Sequence, residues 1–466
     1  MLTRRSLLAS LPLLGATMRK NVLFVVADDQ NTALGCYGHP IVKTPHLDRF
    51  ARRAMVFDRA YCQFPLCQPS RTSLLSGRRP ETTRVLNLQT PTREFLGDTV
   101  FLPEHFRKAG YFTAHAGKIY HTGDHAEDPR SWDEERRDTD KQSPANTIVK
   151  EGKVPGPRGH SFAWSSTNQK DEETPDGIFA RTAVSYMEQA AKAGKPFFVA
   201  TGFRRPHSPY SAPQKYFDLY DPARIPLPAT PPSHIQKMPP ASYNYEPLAT
   251  PLPDATVRDY LRAYYACISF MDAQFGELLS AMDRLNLWDN TIVVFFGDHG
   301  YHLGDHGGLW HKQSLYEASA RVPLIVYAPQ RKGMGQRSAR LVELVDLYPT
   351  LAELCSQPAP TGLEGTSFVP LLDAPQRAWK QAAFTMVGRA ATPGPAPQQI
   401  AFTGKTVRTE RYRYTEWDEA RRGVELFDCQ QDPGELQNLA GQPQYAALEK
   451  QLKEQLHKGW RAALPK

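Results

Sequence analysis

Three short apolar runs of the chain end abruptly in charged or polar residues. They cover residues 21–27, 196–201 and 291–296. Continuous apolar runs of this length are typical of strands that are buried on both faces, as in a parallel sheet. Residues 257–285 repeat apolar side chains at steps of three and four, which predicts an amphipathic helix. The alternation of strands and helices predicts a doubly wound α/β domain.

Charged and polar side chains follow each of the three predicted strands. They are Asp28, Asp29, Arg205, His207, Asp298 and His299. In sheets of this kind ligands bind beyond the carboxyl ends of the strands, so these residues are candidates for a site. Taken alone, the pair of aspartates after the first strand is as often a turn or a helix cap as a pair of ligands.

The three aspartates of this set indicate a cation. Adjacent carboxylates such as Asp28 and Asp29 repel each other unless a cation or protons lie between them. Ligation by several carboxylate oxygens favours Ca²⁺ or Mg²⁺. The imidazole of His299 suits softer metals, so the sequence leaves the identity of the metal open.

Two long stretches interrupt the alternation of predicted strands and helices, and the pattern of polar and apolar residues changes near the end of the chain. Residues 121–175 are highly charged and residues 204–256 are dense in proline, so we expect both to be loops over the sheet that form walls of a substrate pocket. From residue 375 onward the segments become shorter and alternate in polarity, and an amphipathic helix over 444–460 follows. This pattern predicts a small α+β subdomain with an antiparallel sheet.

The composition is that of a globular protein. The chain has 466 residues, 41% of them hydrophobic, and its 56 Lys and Arg against 49 Asp and Glu give a net charge of +7. The positive residues are spread along the chain and no nucleic-acid-binding motif is present, so we expect no nucleic acid partner. A mild positive excess is compatible with attraction of an anionic substrate.

The N-terminus carries the pattern of an export signal. Residues 3–8 read Thr-Arg-Arg-Ser-Leu-Leu and precede a short apolar run, which resembles a twin-arginine signal. The run is too short to span a bilayer. We therefore expect a signal peptide over 1–17, an exported protein that is periplasmic or secreted, and no integral membrane segment in the mature form.

The six cysteines do not form a recognisable framework. They lack C-x-x-C spacing, so a zinc site is not indicated. Cys62 and Cys67 are close enough in sequence to pair, and that alternative stays open.

The segment around Cys67 is the most informative stretch of the chain. Residues 67–77 read Cys-Gln-Pro-Ser-Arg-Thr-Ser-Leu-Leu-Ser-Gly. Because Pro69 suits the first position of a helix, Cys67 is predicted at a helix N-terminus, where free backbone N–H groups and the helix dipole favour anions. Arg71 adds a planar fork for an oxyanion. Cys-x-Pro alone would indicate only an ordinary helix start with a buried cysteine.

The whole segment resembles the signature C-x-P-S-R-x-x-L-L-T-G of the type I sulfatases, from which it departs only at Ser76. In that family the cysteine is converted to formylglycine, the actual nucleophile. Other family motifs occur in the same order: Asp28-Asp29, residues 44–48, Gly117-Lys118, Pro206-His207, Asp298-His299-Gly300 and residues 425–439. His299 stands where many sulfatases carry Asn, so the chain resembles the iduronate-2-sulfatase-like branch most. Arg205 replaces a lysine of that branch.

The resemblance implies an alkaline phosphatase-like fold: a large mixed, mostly parallel sheet sandwiched by helices, with the smaller antiparallel subdomain after it. The implied bounds are 18–374 for the catalytic domain and 375–466 for the C-terminal subdomain. The implied ligands of calcium, with magnesium as the alternative, are Asp28, Asp29, Asp298, His299 and an oxygen of modified Cys67. The implied catalytic residues are Cys67, Arg71, Lys118, His121, His207, Lys312 and Asp298. The implied substrate contacts are Arg205, His207 and Lys312.

The resemblance also implies a role for each side chain. Arg71 and Lys118 would hold the nucleophile and the sulfate oxygens. His207 and Lys312 would contact the sulfate and protonate the leaving alcohol. His121 would deprotonate the second hydroxyl of the covalent hemiacetal, which expels sulfate and restores the aldehyde.

The expected function is therefore hydrolysis of sulfate esters of carbohydrates, including uronate 2-O-sulfates or other sulfated polysaccharide fragments. The expected partners are a small sulfated carbohydrate and a formylglycine-generating enzyme. Two alternatives stay open: a phosphonate monoester or phosphodiester hydrolase of the same superfamily, and a non-catalytic relative that binds sulfated glycans.

Overall fold

The structure is a computed structural model that describes residues 19–138, 144–155, 161–231, 234–243, 252–391 and 399–465. The proposed signal peptide over 1–17 lies outside these residues. The strands are β1 (Asn21–Ala27), β2 (Met55–Tyr61), β3 (Phe112–Gly117), β4 (Glu134–Arg137), β5 (Ile148–Pro155), β6 (Ser161–Thr167), β7 (Phe197–Phe203), β8 (Tyr210–Pro213), β9 (Thr291–Gly297), β10 (Arg321–Tyr327), β11 (Arg337–Glu343), β12 (Ala383–Arg389), β13 (Phe402–Arg408), β14 (Tyr412–Trp417) and β15 (Val424–Asp428).

The helices lie between these strands and after them. They are α1 (Pro45–Ala51), α2 (Cys67–Ser76), α3 (Pro80–Thr83), α4 (Leu102–Lys108), α5 (Pro175–Lys192), α6 (Gln214–Phe217), α7 (His234–Lys237), α8 (Asp254–Arg284), α9 (Asp305–Gly308), α10 (Glu317–Ala320), α11 (Leu347–Leu354), α12 (Val369–Asp373) and α13 (Ala446–Lys458).

A large sheet of eight strands forms the centre of the molecule. Its order is β11-β2-β10-β9-β1-β7-β3-β4. β1 pairs in parallel with β7 and β9, whereas β10 runs antiparallel to both of its neighbours. The prediction of a large, mixed and mostly parallel sheet is therefore confirmed.

Both faces of this sheet are covered by helices, because alternate residues of each buried strand point to opposite sides. Leu23 and Val25 of β1 pack into one core with apolar side chains of α1, α5 and α8. Val22 and Phe24 pack into the other core with side chains of α2, α4, α11 and α12. Strand β1 is fully buried along its length, which explains its unbroken apolar sequence.

A second sheet, of four antiparallel strands, lies near the end of the chain. It has the order β12-β13-β14-β15, and α13 packs its apolar face on it through Leu452 and Leu456. The predicted antiparallel subdomain is confirmed in its architecture, and its boundary at residue 375 stays a prediction. The predicted helix over 257–285 is also present, as α8.

The prediction that residues 121–175 are loops was wrong. They contain β4, β5 and β6, and β5-β6-β8 form a third sheet. Strand β4 pairs with β3 at the edge of the large sheet, so its charged side chains face solvent and give no apolar signal. Tertiary pairing, which a local pattern does not reveal, decides the structure here.

Two further observations bear on the sequence predictions. All six cysteines are unpaired, so Cys62 and Cys67 do not form a disulfide. Among the described residues, no helix is both long and apolar enough to cross a membrane.

Candidate active site

The strand ends and one helix start meet at a single edge of the large sheet. Asp28 and Asp29 follow β1, Lys118 follows β3, and Asp298 and His299 follow β9. The helix that begins at Cys67 points its N-terminus at the same place. The eight residues that meet here are called the Cys67 cluster: Asp28, Asp29, Cys67, Arg71, Lys118, Asp298, His299 and Lys312.

Cys67 lies at the bottom of this cluster. It is the first residue of α2, the residue is only 2% exposed, and its Sγ is 3.3 Å from Nε2 of His299. Leu66 before it is extended, and Arg71 follows Cys67 one turn later on the same helix. The side chains of Cys67 and Arg71 therefore both face the strand ends. A helix therefore starts here as predicted, but it begins at Cys67, so Pro69 is its third residue and not its first. Its first turn is directed at three carboxylates.

The three carboxylates are almost completely buried. Asp28, Asp29 and Asp298 are each at most 1% exposed. Asp29 has a φ of +61°, a left-handed conformation that turns the chain after β1, and its backbone N–H donates to Oδ1 of Asp298 over 3.2 Å. This turn brings both neighbouring aspartates toward one point, although a regular strand would direct them apart.

Three cations contact these carboxylates. Arg71 Nε lies 2.8 Å from Asp298 Oδ2, and its Nη2 lies 3.3 Å from Asp28 Oδ1. Lys118 Nζ lies 2.5 Å from Asp28 Oδ2. Lys312 Nζ lies 2.5 Å from Asp29 Oδ1. Buried charges of one sign are thus balanced by buried charges of the other, as burial requires.

Arg71 also joins two elements of the site. Its Nη1 donates to the carbonyl oxygens of Lys118 and Ile119, the latter over 3.0 Å. The hydroxyl of Ser70 donates to the carbonyl oxygen of Asp298 over 2.5 Å. Sequence reasoning did not include Ser70 in the site, although its place inside the Cys67 motif was the available signal.

The environment shifts the pKa values in opposite directions. Burial opposes ionisation of Asp28, but Lys118, His207 and Arg71 hold its pKa well below the usual range. Burial raises the pKa of Asp29, which Lys312 only partly opposes. Burial also disfavours charge on His299, but Asp298 and Cys67 raise its pKa to about 9.

The donor atoms fit a divalent metal ion. One ligand atom from each of Asp28, Cys67, Asp298 and His299 lies within 4.8 Å of the others, and Asp28, Asp29, Cys67 and His207 form a second such set. Oδ2 of Asp29 is buried and accepts no hydrogen bond from any described residue. A buried, unpaired carboxylate oxygen among other carboxylates is the environment in which a hard cation binds.

His207 and His121 lie at the border of the cluster. His207 is 25% exposed, its Nε2 is 3.8 Å from Asp29 Oδ2, and its Nδ1 donates to the carbonyl oxygen of Ser208. Nδ1 of His121 is buried without a hydrogen-bond partner among the described residues. Burial and the charge of Lys118 lower the pKa of His121 to about 2, so this imidazole is neutral at pH 7.

Arg205 holds the backbone of the loop that carries His207 and also lines a cavity. Its Nε donates to the carbonyl oxygen of Ser211 over 2.6 Å, and its Nη1 donates to that of His207 over 3.0 Å. It also lines a cavity of about 340 Å³ together with Trp164 and Lys153. The guanidinium therefore braces the loop that carries His207, in addition to facing this cavity.

The fold and this cluster together are those of a hydrolase of the alkaline phosphatase type. Comparison of the chain with known proteins identifies its family. The family model "Sulfatase" matches residues 20–356, and the model "N-sulphoglucosamine sulphohydrolase, C-terminal" matches residues 304–461. The chain belongs to the sulfatase family and is a sulfuric ester hydrolase. Members of this family generally use a formylglycine derived from cysteine and a divalent metal ion.

Individual relatives agree with this assignment. Iduronate 2-sulfatase of Mus musculus is 31% identical over 86% of this chain and 85% of its own length. The solved phosphonate monoester hydrolase of Silicibacter pomeroyi is similar with a TM-score of 0.80, 26% identity and coverage of 96% of both chains. A solved structure in complex with its substrate D-glucosamine-2-N,6-O-disulfate shares the fold, with a TM-score of 0.73, 21% identity and coverage of 94% and 97%.

Proposed function

We propose that this sulfatase hydrolyses sulfate esters of carbohydrates, with a nucleophile that is made from Cys67 by a formylglycine-generating enzyme. One observation carries the proposal: Cys67 lies at a helix N-terminus, 3.3 Å from His299 Nε2, among three buried carboxylates and three buried cations. A buried thiol does not need this arrangement of buried charges, whereas an aldehyde hydrate beside a divalent cation does.

We propose Ca²⁺ as the resident cation, with Mg²⁺ as the alternative, held by Asp28, Asp29, Asp298, His299 and an oxygen of modified Cys67. Bound there, the cation would neutralise the carboxylates and polarise a sulfate oxygen. The imidazole of His299 supplies a nitrogen ligand, whereas both of these ions prefer oxygen. Metal analysis of the native protein decides between the ions.

The chain's own cations would hold the ester. Arg71 and Lys118 are fixed by contacts with Asp28 and Asp298, so they present a preorganised positive surface at the base of the site. Lys312 Nζ and His207 Nε2 converge on Asp29 from the more open side. These two groups would contact the sulfate, and a proton from this side would reach the oxygen of the leaving alcohol.

A base is needed to release sulfate after the alcohol has left. His121 is the proposed base, because its Nδ1 is buried and has no hydrogen-bond partner among the described residues. The formylglycine hydrate supplies two hydroxyl groups, one for attack on sulfur and one whose deprotonation expels sulfate. A serine or threonine has only one hydroxyl and could not release sulfate in this way.

The proposal extends to the substrate and to the location of the protein. A sugar sulfate fits because iduronate 2-sulfatase is a relative and because one similar structure holds a sulfated glucosamine. Arg205, with Trp164 and Lys153 beside the His207 loop, is the proposed contact for the remainder of an anionic sugar. We also propose export to the periplasm or the medium, on the basis of the arginine pair in residues 3–8.

Mass spectrometry of the peptide that contains Cys67 tests the nucleophile. Protein from its native host, or made together with a formylglycine-generating enzyme, is expected to carry the aldehyde or its hydrate and to release sulfate from a sulfated disaccharide. Protein with only a thiol at this position is expected to be inactive. Active protein that carries only the thiol would refute the mechanism.

The alternative of a phosphonate monoester hydrolase is favoured by one observation, the likeness to the Silicibacter pomeroyi enzyme. Turnover of an aryl sulfate and an aryl phosphonate by the same preparation separates the two functions. We expect the higher kcat/KM for the sulfate, and a clear preference for the phosphonate would favour the alternative.

A further inference from the structure

Lys312 lies in a long connection between β9 and β10 that is folded back on itself. The backbone N–H of Gly300 donates to the carbonyl oxygen of Ser319 over 2.8 Å, and the backbone N–H of His302 donates to the carbonyl oxygen of His311 over 2.8 Å. Lys312 therefore follows directly after a residue that is paired with the other arm of the loop. The position of its side chain depends on what fixes residues 312–314.

A chain of three polar side chains crosses this loop. The Oδ1 of Asp305 accepts a hydrogen bond from Nδ1 of His302, and Nε2 of His302 lies 2.6 Å from Oγ of Ser314. His302 is 1% exposed and Ser314 is 3% exposed. The contact between His302 and Ser314 is strong because little water competes for it, whereas the side chain of Asp305 is 35% exposed.

The carboxylate end sets the direction of the first hydrogen bond in this chain. Partial burial opposes ionisation of Asp305, but His302 keeps its pKa below the usual range, so the carboxylate only accepts. Nδ1 of His302 therefore carries a proton, and Nε2 on the other side of the ring is shared with the hydroxyl of Ser314. The Oγ of Ser314 in turn faces the backbone N–H of Tyr316 over 3.4 Å.

The residue between Lys312 and Ser314 explains why such a constraint is needed. Gln313 has a φ of +68°, in the left-handed region that a glutamine rarely adopts. Its backbone N–H donates to the carbonyl oxygen of Pro65 over 3.0 Å, two residues before Cys67. A strained residue persists only when its surroundings hold it in place, and here Ser314 is the anchored neighbour.

We propose that Asp305, His302 and Ser314 act as a positioning relay for the ammonium of Lys312. The relay fixes the backbone on the C-terminal side of Lys312, so that Nζ reaches Asp29 over 2.5 Å. None of the three residues touches the reacting atoms, and their effect on catalysis passes through Lys312. The inference rests on the proposed function in one respect, the contact of Lys312 with the sulfate ester.

A metal site is the competing interpretation of the same residues. Ligand atoms of His302, Asp305 and His306 lie within 4.8 Å of one another. However, both ring nitrogens of His302 already have hydrogen-bond partners, and Nδ1 of His306 lies 3.0 Å from Nε2 of His234. Because these donors and acceptors are satisfied without an ion, the relay is the better account.

The test compares Ser314→Ala, Ser314→Thr and His302→Gln in the formylglycine-containing protein. We expect Ser314→Ala and His302→Gln to lower kcat roughly tenfold to a hundredfold, because a small misplacement of a catalytic group has an effect of this size. KM and the content of the resident cation should change little. Ser314→Thr keeps the hydroxyl and should keep most of the activity.

A double-mutant cycle tests whether the effect of the relay on catalysis passes through Lys312. In a Lys312→Ala background, Ser314→Ala should cause no further fall in kcat. His234→Gln is the matched control, since the hydrogen-bond contacts of this buried histidine are with His306 of the same loop and with the carbonyl oxygen of Leu436. Additive effects with Lys312→Ala, or an equal loss of kcat in His234→Gln, would overturn the proposal.

Crystal structures provide a measurement that does not depend on turnover. Lys312 Nζ of Ser314→Ala is expected to move by about 1 Å or more relative to wild type, a shift large enough for the loss of rate above. An unmoved Nζ would overturn the relay, even if the wild-type protein proved to act on another ester. Stoichiometric zinc bound to His302, Asp305 and His306 would overturn it in favour of the metal site.

Discussion

Two buried clusters of charge in this molecule differ in how completely their carboxylates are paired. The Glu343 cluster consists of Arg79, Glu343, Asp346 and Lys380. Arg79 holds both oxygens of Glu343 over 2.8 and 2.7 Å, and Lys380 adds a contact of 2.8 Å. Each oxygen of Asp346 also accepts two hydrogen bonds, from Lys380 and from the backbone N–H of Glu343 or Thr366.

The Cys67 cluster is built from the same residue types and is just as buried, but its carboxylates are less completely paired. Oδ2 of Asp29 accepts no hydrogen bond from the described residues, and each oxygen of Asp28 has a single cationic partner. A fully paired cluster holds the protein together, whereas a partly paired one retains capacity for a ligand. The following predictions test this distinction.

The largest expected effect concerns Cys67. We expect Cys67→Ala to lower kcat by at least about 10⁴-fold, the size of loss found when a covalent nucleophile is removed. Release of sulfate from a sulfated disaccharide measures it. Cys62→Ala is the matched control, because this thiol is equally buried five residues earlier and lies outside the cluster. Similar losses in both variants would contradict the assignment of the nucleophile.

The next effect falls on the Glu343 cluster. Glu343→Gln is expected to lower the free energy of unfolding by about 3–5 kcal/mol, because it leaves buried Arg79 and Lys380 without their anionic partner. Urea unfolding measures this loss. The kcat of the molecules that stay folded should be unchanged. A large fall in kcat at unchanged stability would show that this cluster also belongs to the site.

Removal of the metal should affect only the Cys67 cluster. If calcium is present at a hundred times its dissociation constant, chelation is expected to lower the free energy of unfolding by about 2.7 kcal/mol. Asp29→Asn should abolish this shift, because it removes one of the charged oxygens that hold the ion. Glu343→Gln should retain it, and a calcium shift that survives in Asp29→Asn would refute the proposed ligand set.

The smallest effect is the pH dependence of stability. Burial opposes ionisation of Glu343, but Arg79 and Lys380 hold its pKa well below the usual range. Its contribution is therefore complete above the unfolded-state value of about 4.3 and is lost as pH falls below it. One such proton changes the free energy of unfolding by at most about 1.4 kcal/mol per pH unit. Below about pH 4.5 the free energy of unfolding of Glu343→Gln should therefore depend less steeply on pH than that of the wild type. An unchanged slope would contradict this account.

The two clusters also differ in how well the sequence predicts them. Asp28, Asp298 and Cys67 were predictable because each directly follows an apolar strand or opens a helix with a family motif. The pairing of Glu343 with Arg79 was not, since these residues are 264 positions apart and no local pattern links them. Residues near a chemical motif are found from sequence, whereas residues that meet only through packing are not.

The distinction between local sequence patterns and contacts made only through packing also explains how other parts of the fold were predicted or missed. The apolar runs of β1, β7 and β9 predicted the central sheet because both of its faces are buried. The charged strand β4 was missed because it lies at an edge. The contact of Arg205 with substrate stays a prediction, and the sequence did not reveal that two of its N–H groups hold the backbone of its own loop. Its proposed contact with a sugar depends on the cavity that it also lines.

The burial of Cys67 has a consequence for the order of events in the life of the protein. With 2% of its surface exposed, this residue is closed to any other enzyme once α2 has docked against the sheet. Under the proposed function, oxidation of the thiol must therefore come before folding, while the chain is still being made. A molecule that folds too early would be stable, correctly shaped and permanently inactive.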